Sequence, residues 1–331
     1  MLTLKPMAVC PATPGAAIAP AAHPMKFSVI IAVYNDWLPL DSCLRSLSEQ
    51  ASGPSFEVIV VDDGSDKESP ESILKWKQFY PLSIVRQLHS GIPTARNAGI
   101  RASRGSVLLF VDADSRLERN CLSMLHAIVE GHQEHGSFQL ELIADCSTFS
   151  GRVEELRLMT LRQHMLQTSG CIRYLNTAGF AIRAARFNSE EGLFNTAAQR
   201  GEDTLLLVNL MQRGELPFLA AGALVRHVVP RTFRQSLRKC MRAAYLEAQT
   251  YEFIASQGIR IRVTNRKRLR MLKSMWKACG QHPLGRLVWL GLATRQALVR
   301  TVSFACAYGL SIKSSNSRAF FMKRLQDVPN A

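Results

Sequence analysis

The chain has 331 residues, of which 47% are hydrophobic, so it is long enough for one large or two modest domains with real cores. Its net charge of +15 arises at one end: residues 1–227 hold 21 basic and 23 acidic side chains, whereas residues 228–331 hold 20 and 3. The lack of any apolar stretch of about 18 residues argues against a transmembrane helix, and the lack of a Cys-x-x-Cys pair argues against a zinc or redox site.

The chain opens with a segment rich in alanine and proline, residues 1–25. Pro11, Pro14, Pro20 and Pro24 interrupt every apolar run in it, which makes it a poor secretory signal. We therefore expect a disordered leader, with ordered structure beginning at residue 26.

Strand and helix patterns alternate from residue 26 to the middle of the chain. The apolar strand patterns cover 27–33, 56–61, 82–87 and 107–111. The helical patterns between them cover 38–50, 68–79 and 92–102. Such alternation predicts an α/β fold with a doubly wound, mostly parallel sheet and right-handed crossovers.

The second half of the pattern is less regular. Helices are predicted over 119–132, 152–168 and 201–213, and strands over 138–144, 179–183, 216–219 and 223–225. From residue 233 the sequence looks helical and rich in arginine, without strand signals.

Two carboxylates, Asp112 and Asp114, directly follow the buried strand pattern 107–111. Open α/β sheets place their ligands beyond the carboxyl ends of their strands. Oxygen ligands at positions i and i+2 there suit a hard divalent cation that also holds a phosphate. The alternative is an ordinary strand exit with solvated acids.

Four further polar features occur in the order of the chain, and each alone has a neutral explanation as a turn, a helix cap or a helix-dipole partner. They are Val33-Tyr34-Asn35, Val61-Asp62-Asp63-Gly64-Ser65, the segment 91–99, and Gly201-Glu202-Asp203-Thr204. The segment 91–99 begins at Gly91 and ends in Ala95-Arg96-Asn97-Ala98-Gly99. Together with Asp112-Ala113-Asp114 they resemble, in order and spacing, the motifs of the family 2 glycosyltransferases, which have the GT-A fold.

The resemblance covers about residues 26–240. It implies a catalytic domain over 26–232, with a nucleotide-binding half over 26–115 and an acceptor half over 116–232. The implied enzyme moves one sugar from a nucleotide-sugar to a hydroxyl of a glycan or a lipid-linked acceptor, as in the synthesis of cell-surface polysaccharides or glycolipids. UDP is favoured because it is the commonest carrier in the family.

The resemblance also implies roles at the donor site. Asp63 would accept hydrogen bonds from the base or the ribose, Tyr34 would flank the base, and Arg96 would lie near the nucleotide. Asp112 would bind on the ribose side. Asp114 would bind the metal, Mn²⁺ or Mg²⁺, since both fit oxygen ligands.

The Glu-Asp pair carries the implied catalysis. Asp203 would deprotonate the acceptor hydroxyl, so that attack opposite the leaving diphosphate inverts the anomeric configuration. Glu202 would hold the acceptor or support the metal site. His227, after the strand pattern 223–225, would be an extra metal ligand, with an ordinary surface histidine as the alternative.

Two more segments resemble parts of the family pattern on the acceptor side. These are Asn176-Thr177-Ala178-Gly179 and Gly192-Leu193-Phe194-Asn195, the latter departing from the usual Gly-Gly-Phe-Asp. The Gln-x-x-Arg-Trp motif of the processive members is not found, which favours transfer of a single sugar.

The C-terminal extension, residues 233–331, is predicted to be helical and basic. Residues 258–277 contain eight basic side chains and no acid, with apolar residues at helical spacing, as in membrane-surface helices. We therefore expect an anionic membrane surface as a partner, through residues 258–312, and a peripheral place at the cytoplasmic face of a membrane. The alternative is a helical subdomain that packs on the catalytic core.

Two other functions remain open from the residues alone. One is a catalytically silent GT-A module that binds nucleotide or serves as a scaffold for a glycan-assembly complex. The other is nucleic-acid binding by the basic C-terminal segment. That segment has few aromatic residues on which bases could stack, so no nucleic acid is expected as a partner.

Overall fold

The computed structural model describes residues 26–50, 53–187, 190–197 and 201–227, and single helical residues between 270 and 301. The predicted leader 1–25 and most of the predicted extension 233–331 lie outside the described residues. Within the described part of the chain, no helix is long and apolar enough to cross a bilayer.

The described domain is built on one eight-stranded sheet with helices on both faces. Its strands are β1 (Phe27–Val33), β2 (Phe56–Asp62), β3 (Leu82–Arg86), β4 (Val107–Phe110), β5 (Ser115–Leu117), β6 (Ser137–Ala144), β7 (Phe180–Arg183) and β8 (Phe218–His227). Its helices are α1 (Trp37–Ser48), α2 (Glu71–Leu74), α3 (Ile92–Ala102), α4 (Cys121–Gly131), α5 (Phe149–Met165) and α6 (Glu202–Gln212).

The strand order is β3-β2-β1-β4-β7-β6-β8-β5. Strands β3, β2, β1 and β4 are mutually parallel, β7 is antiparallel to both of its neighbours, and β8 pairs parallel with β6 and antiparallel with β5. The predicted α/β class with a mostly parallel sheet is confirmed, and the reversal at β7 makes the sheet mixed.

Side chains of the central strands alternate between two apolar cores, as the two-residue period of a strand requires. In β1, Val29, Ile31 and Val33 face one core, whereas Ile30 faces the other. Both faces of these strands are therefore covered, which explains their continuous apolar runs.

One prediction about the strands at the far side of the sheet is wrong, and one strand there was not predicted. The segments 216–219 and 223–225 form one strand, β8, because the chain passes through Gly222 at a φ of +85° and the pairing with β6 shifts register at Leu140/Glu141. Strand β5 was not predicted, because three residues carry no readable period and form a strand only by pairing with β8.

The predicted helix 68–79 is also different in the structure. Helix α2 covers only four residues and continues as a 3₁₀ helix over Lys75–Gln78. A tertiary contact accompanies the change, since the buried Trp76 donates its indole N–H to Asp41 of α1 over 2.9 Å. The other predicted helices and strands are present with bounds that differ by a few residues.

Candidate active site

The sheet topology brings the predicted site residues to one edge. The carboxyl ends of β1, β2 and β4 meet there because these strands are parallel. The amino end of β7 lies at the same edge because β7 runs antiparallel to β4, with Phe110 opposite Phe180. Strand β8 also ends there, with His227 opposite Ser115 of β5.

Tyr34, which follows β1, stacks on His89, a histidine for which the sequence predicted no role. The rings of Tyr34 and His89 lie 4.2 Å apart with an interplanar angle of 28°. Tyr34 remains 38% exposed, so one part of this aromatic pair is open to a ligand. The position of His89 in the loop before Gly91 gave no signal of this contact.

Asp63, at the end of β2, is buried and already engaged by protein donors. Its Oδ1 accepts hydrogen bonds from the Gln87 side chain at 2.7 Å and from the Ser90 N–H at 2.9 Å. Its Oδ2 accepts from the Gly91 N–H at 2.9 Å and lies 3.0 Å from His89 Nδ1. Asp63 therefore holds the loop 87–91 in place, and the nucleotide contact inferred for it stays a prediction.

Arg96, on α3, connects the end of β4 to the start of α6. Its guanidinium donates to Asp112 Oδ1 at 2.9 Å and to Glu202 Oε1 at 2.7 Å. Arg96 is 4% exposed, so this is a buried bridge in which one cation compensates two carboxylates. Residues that lie far apart in the chain are thereby held in one cluster.

Asn97, the next residue of α3, holds the segment that follows Gly192. Its Oδ1 accepts hydrogen bonds from the N–H groups of Leu193 and Phe194, both at 3.0 Å, and its Nδ2 donates to the Phe194 carbonyl at 2.7 Å. Phe194 packs under the Arg96 guanidinium at 5.5 Å. The segment resembling Gly-Gly-Phe-Asp is thus attached to the same helix as the Arg96 bridge.

Asp203 lies in the first turn of α6, where its surroundings shift its pKa strongly. Burial, together with the neighbouring charge of Glu202, raises its pKa to about 7, although Arg96 and a hydrogen bond from Thr177 act in the opposite direction. The Thr177 hydroxyl donates to Asp203 Oδ1 over 2.7 Å. A carboxyl with a pKa near 7 is a candidate proton acceptor at neutral pH.

Asp114 and His227 meet because β5 begins directly after Asp114 and pairs with the end of β8. The distance from His227 Nε2 to Asp114 Oδ2 is 3.6 Å, and His227 Nδ1 is a buried atom without a hydrogen-bond partner in the described part of the chain. No group of three or more acidic, histidine or cysteine side chains with metal-binding geometry occurs among those residues.

Part of the chain is similar in sequence to known proteins. Residues 28–184 match the family described as Glycosyl transferase family 2. The putative glycosyltransferase EpsH of Bacillus subtilis is 35% identical over 100 residues, which is 30% of this chain and 29% of EpsH. The poly(ribitol-phosphate) beta-N-acetylglucosaminyltransferase TarS of Staphylococcus aureus is 32% identical over 111 residues, 33% of this chain and 19% of TarS. The alignments thus span less than a third of these relatives.

Solved structures show the same fold at low sequence identity. The mannosyltransferase PcManGT of Pyrobaculum calidifontis, in complex with GDP-Man and Mn²⁺, has a TM-score of 0.56 and 17% identity, over 91% of this chain and 81% of that one. S. aureus TarS 1-349 in complex with UDP has a TM-score of 0.51 and 20% identity, over 86% and 92%. Residues 28–184 of this chain therefore match the family 2 glycosyltransferases, and the described domain has the GT-A fold.

Proposed function

We propose that this protein transfers one sugar from a nucleotide-sugar, with UDP as the favoured carrier, to a hydroxyl group of a glycan or lipid-linked acceptor, with inversion. The observation that carries the proposal is the buried bridge from Asp112 through Arg96 to Glu202, the residue before Asp203. It supports a site in which the predicted base lies near the Asp-x-Asp turn, because the charges of Asp112 and Arg96 both act on the pKa of Asp203.

The proposed chemistry is a single displacement. Asp203 removes the proton of the acceptor hydroxyl, and the oxygen attacks the anomeric carbon of the donor sugar. The bond from that carbon to the diphosphate breaks with its electron pair going to the diphosphate, which departs as nucleoside diphosphate. A positioned general base contributes about 10²- to 10⁴-fold in rate.

We propose Asp114 and His227 as the protein ligands of Mn²⁺ or Mg²⁺. The arrangement fits such an ion: the Asp114 carboxylate suits both Mn²⁺ and Mg²⁺, and the His227 imidazole offers a nitrogen ligand 3.6 Å from that carboxylate. When bound, the ion supplies positive charge that stabilises the departing diphosphate.

The nucleotide would bind at the ends of β1 and β2. The exposed part of Tyr34 offers an aromatic surface to the base, and the loop 87–91, held by Asp63, borders it. Asp112, whose side chain is 37% exposed beside Arg96, remains accessible to the ribose. Relatives named for the glycosylation of poly(ribitol-phosphate) support a cell-surface polysaccharide as the acceptor class.

A screen of nucleotide-sugars tests the proposed function. The folded chain of 331 residues is incubated with UDP-, GDP- and dTDP-sugars and Mn²⁺. Thermal shift reports binding, and release of nucleoside diphosphate reports turnover. We expect stabilisation and release with one carrier, and loss of release in EDTA. Binding without turnover in the presence of acceptor glycans would instead support a catalytically silent module, and neither binding nor turnover would contradict the proposal.

The pH dependence of turnover should report Asp203. Because burial and Glu202 raise the pKa of Asp203 to about 7, the base is mostly ionised above that pH and mostly protonated below it. We expect kcat/KM to fall about tenfold for each pH unit below 7, since this ratio follows the free enzyme. The measurement is kcat/KM from pH 5 to pH 9, and a profile flat down to pH 5 would contradict the assignment of Asp203 as the base.

We also propose contact with an anionic membrane surface at the C-terminal side. Three apolar side chains there are largely exposed, namely Trp276 at 43%, Leu287 at 54% and Leu290 at 55%. Exposed basic residues accompany them, namely Arg270, Lys273, Lys277 and Arg286. Exposed aromatic and aliphatic groups with basic neighbours are typical of interfacial helices.

The same region also contacts the catalytic domain. A Cβ placed on Gly291 would lie 2.9 Å from Phe149 and 3.1 Å from Val153 of α5, so this part of the extension packs closely on that helix. The two interpretations of the extension are thus compatible, with one side on the domain and another toward lipid.

Flotation with vesicles tests the membrane proposal. We expect binding to vesicles containing anionic lipid but not to neutral ones, and weaker binding for Leu287→Glu. Leu74→Glu, at a leucine of α2 that is 43% exposed, is the matched control and should bind like wild type. Equal binding by the two variants would contradict the proposed surface.

A further inference from the structure

We propose that Thr177 is a positioning residue for the base, holding one oxygen of Asp203 so that the other faces the acceptor hydroxyl. The inference rests on the proposed function. It starts from the 2.7 Å hydrogen bond that the Thr177 hydroxyl donates to Asp203 Oδ1. A carboxylate has two oxygens, and this contact assigns Oδ2 to proton transfer.

The backbone that carries Thr177 is held from two sides. Thr177–Gly179 form a 3₁₀ turn at the amino end of β7, and Asn176 caps it by accepting the Ala178 N–H at 2.9 Å. Gln139 of β6 accepts the Asn176 N–H at 2.7 Å and donates to the Gly179 carbonyl at 2.8 Å. The turn therefore cannot rotate without breaking these bonds.

Thr177 has little freedom of its own. The residue is 1% exposed, and branching at Cβ restricts its χ1 angle. A buried hydroxyl usually finds a neutral partner, as Thr160 of α5 does by donating to the Leu156 carbonyl at 2.7 Å. Thr177 instead donates to a carboxyl group, and hydrogen bonds to an ionised acceptor are about twice as strong as neutral ones.

The surroundings of Asp203 make this neutral donor useful. Glu202 and Asp112 are like charges that oppose its ionisation, whereas Arg96 favours it, and Arg96 is itself committed to those two carboxylates. Tyr174 faces the same group from the segment before the turn. The Thr177 hydroxyl is thus a donor that orients Asp203 without being shared with another carboxylate.

The test compares Thr177→Val, Thr177→Ser and the control Thr160→Val in the full chain. Thr177→Val keeps the shape and removes the hydroxyl. We expect its kcat for nucleoside diphosphate release to fall about 10- to 100-fold, the effect of losing a hydrogen bond to a charged group. KM for the nucleotide-sugar should stay within about twofold, because donor contacts are untouched. Thr177→Ser should restore kcat to within about threefold.

The control and the melting temperature separate positioning from folding. Thr160→Val, which also removes a buried threonine hydroxyl, should leave kcat unchanged. If Thr177→Val does not fold, Thr177→Ala and Thr177→Ser give the same comparison of one hydroxyl. A folded hydroxyl-free variant with wild-type kcat, or a loss that serine does not restore, would overturn the proposal. Wild-type protein without turnover would instead refute the proposed function.

Discussion

Asp203→Asn should reduce sugar transfer by at least about 100-fold while stabilising the folded protein at pH 8. The loss of transfer follows from the removal of the base, since an amide cannot take the acceptor proton and general-base catalysis contributes about 10²- to 10⁴-fold. The gain in stability follows from the environment of the carboxyl, which disfavours its charged form through burial and the charge of Glu202.

The direction of the stability effect follows from linkage. The pKa of Asp203 is raised from the ordinary 3.8 to about 7 in the folded state. Between these values the folded protein binds more protons than the unfolded chain, so the free energy of unfolding decreases as pH rises. Above pH 7 the folded state carries the full cost of the buried charge. The neutral asparagine avoids that cost, so its advantage should be larger at pH 8 than at pH 5.

Two measurements check this prediction. Nucleoside diphosphate release gives the loss of turnover, and melting temperatures of wild type and variant at pH 5 and pH 8 give the stability difference. Asp145→Asn, at an exposed carboxyl after β6, is the matched control and should leave turnover unchanged. A variant that is inactive and also less stable at pH 8 would show that Asp203 has a structural role instead.

Arg96→Met should destabilise the domain by about 3–5 kcal/mol, which is the usual cost of removing one partner of a buried ion pair. Methionine preserves much of the side-chain volume but leaves Asp112 and Glu202 without their shared cation. Arg96 also lowers the pKa of Asp203. That pKa should therefore rise in any folded variant, so that turnover requires a higher pH. Turnover at pH 7 should therefore fall sharply.

Denaturant unfolding of Arg96→Met measures the loss of stability. Arg101→Met, at an exposed arginine of the same helix, is the matched control and should stay within about 0.5 kcal/mol of wild type. Combining Arg96→Met with Glu202→Gln removes one uncompensated charge and should recover part of the stability. No recovery, or a single variant as stable as wild type, would contradict the counter-ion role of Arg96.

The alternation of buried strands and helices was readable from residue 26 because parallel strands covered on both faces are apolar throughout. Elements that form only by pairing with a distant strand were not readable from the sequence. Strand β5 exists only through its pairing with β8, and β8 continues through Gly222, which reads as a break in sequence. The residues of a short segment do not indicate which distant strand it will pair with.

The candidate active site was likewise only partly predictable from the sequence. The sequence by itself determined the residue types and their order: the carboxylates at strand ends, the Glu-Asp pair and Arg96, since their chemistry is set by side-chain type and by position after apolar runs. Only the tertiary structure decided which of them touch. It joined Asp112 to Glu202 through Arg96, directed the Asp63 carboxylate to the loop 87–91, stacked His89 on Tyr34 and placed Thr177 on Asp203. These contacts join segments up to 106 residues apart, and a hydrogen bond between distant segments depends on how the sheet folds, not on any local pattern.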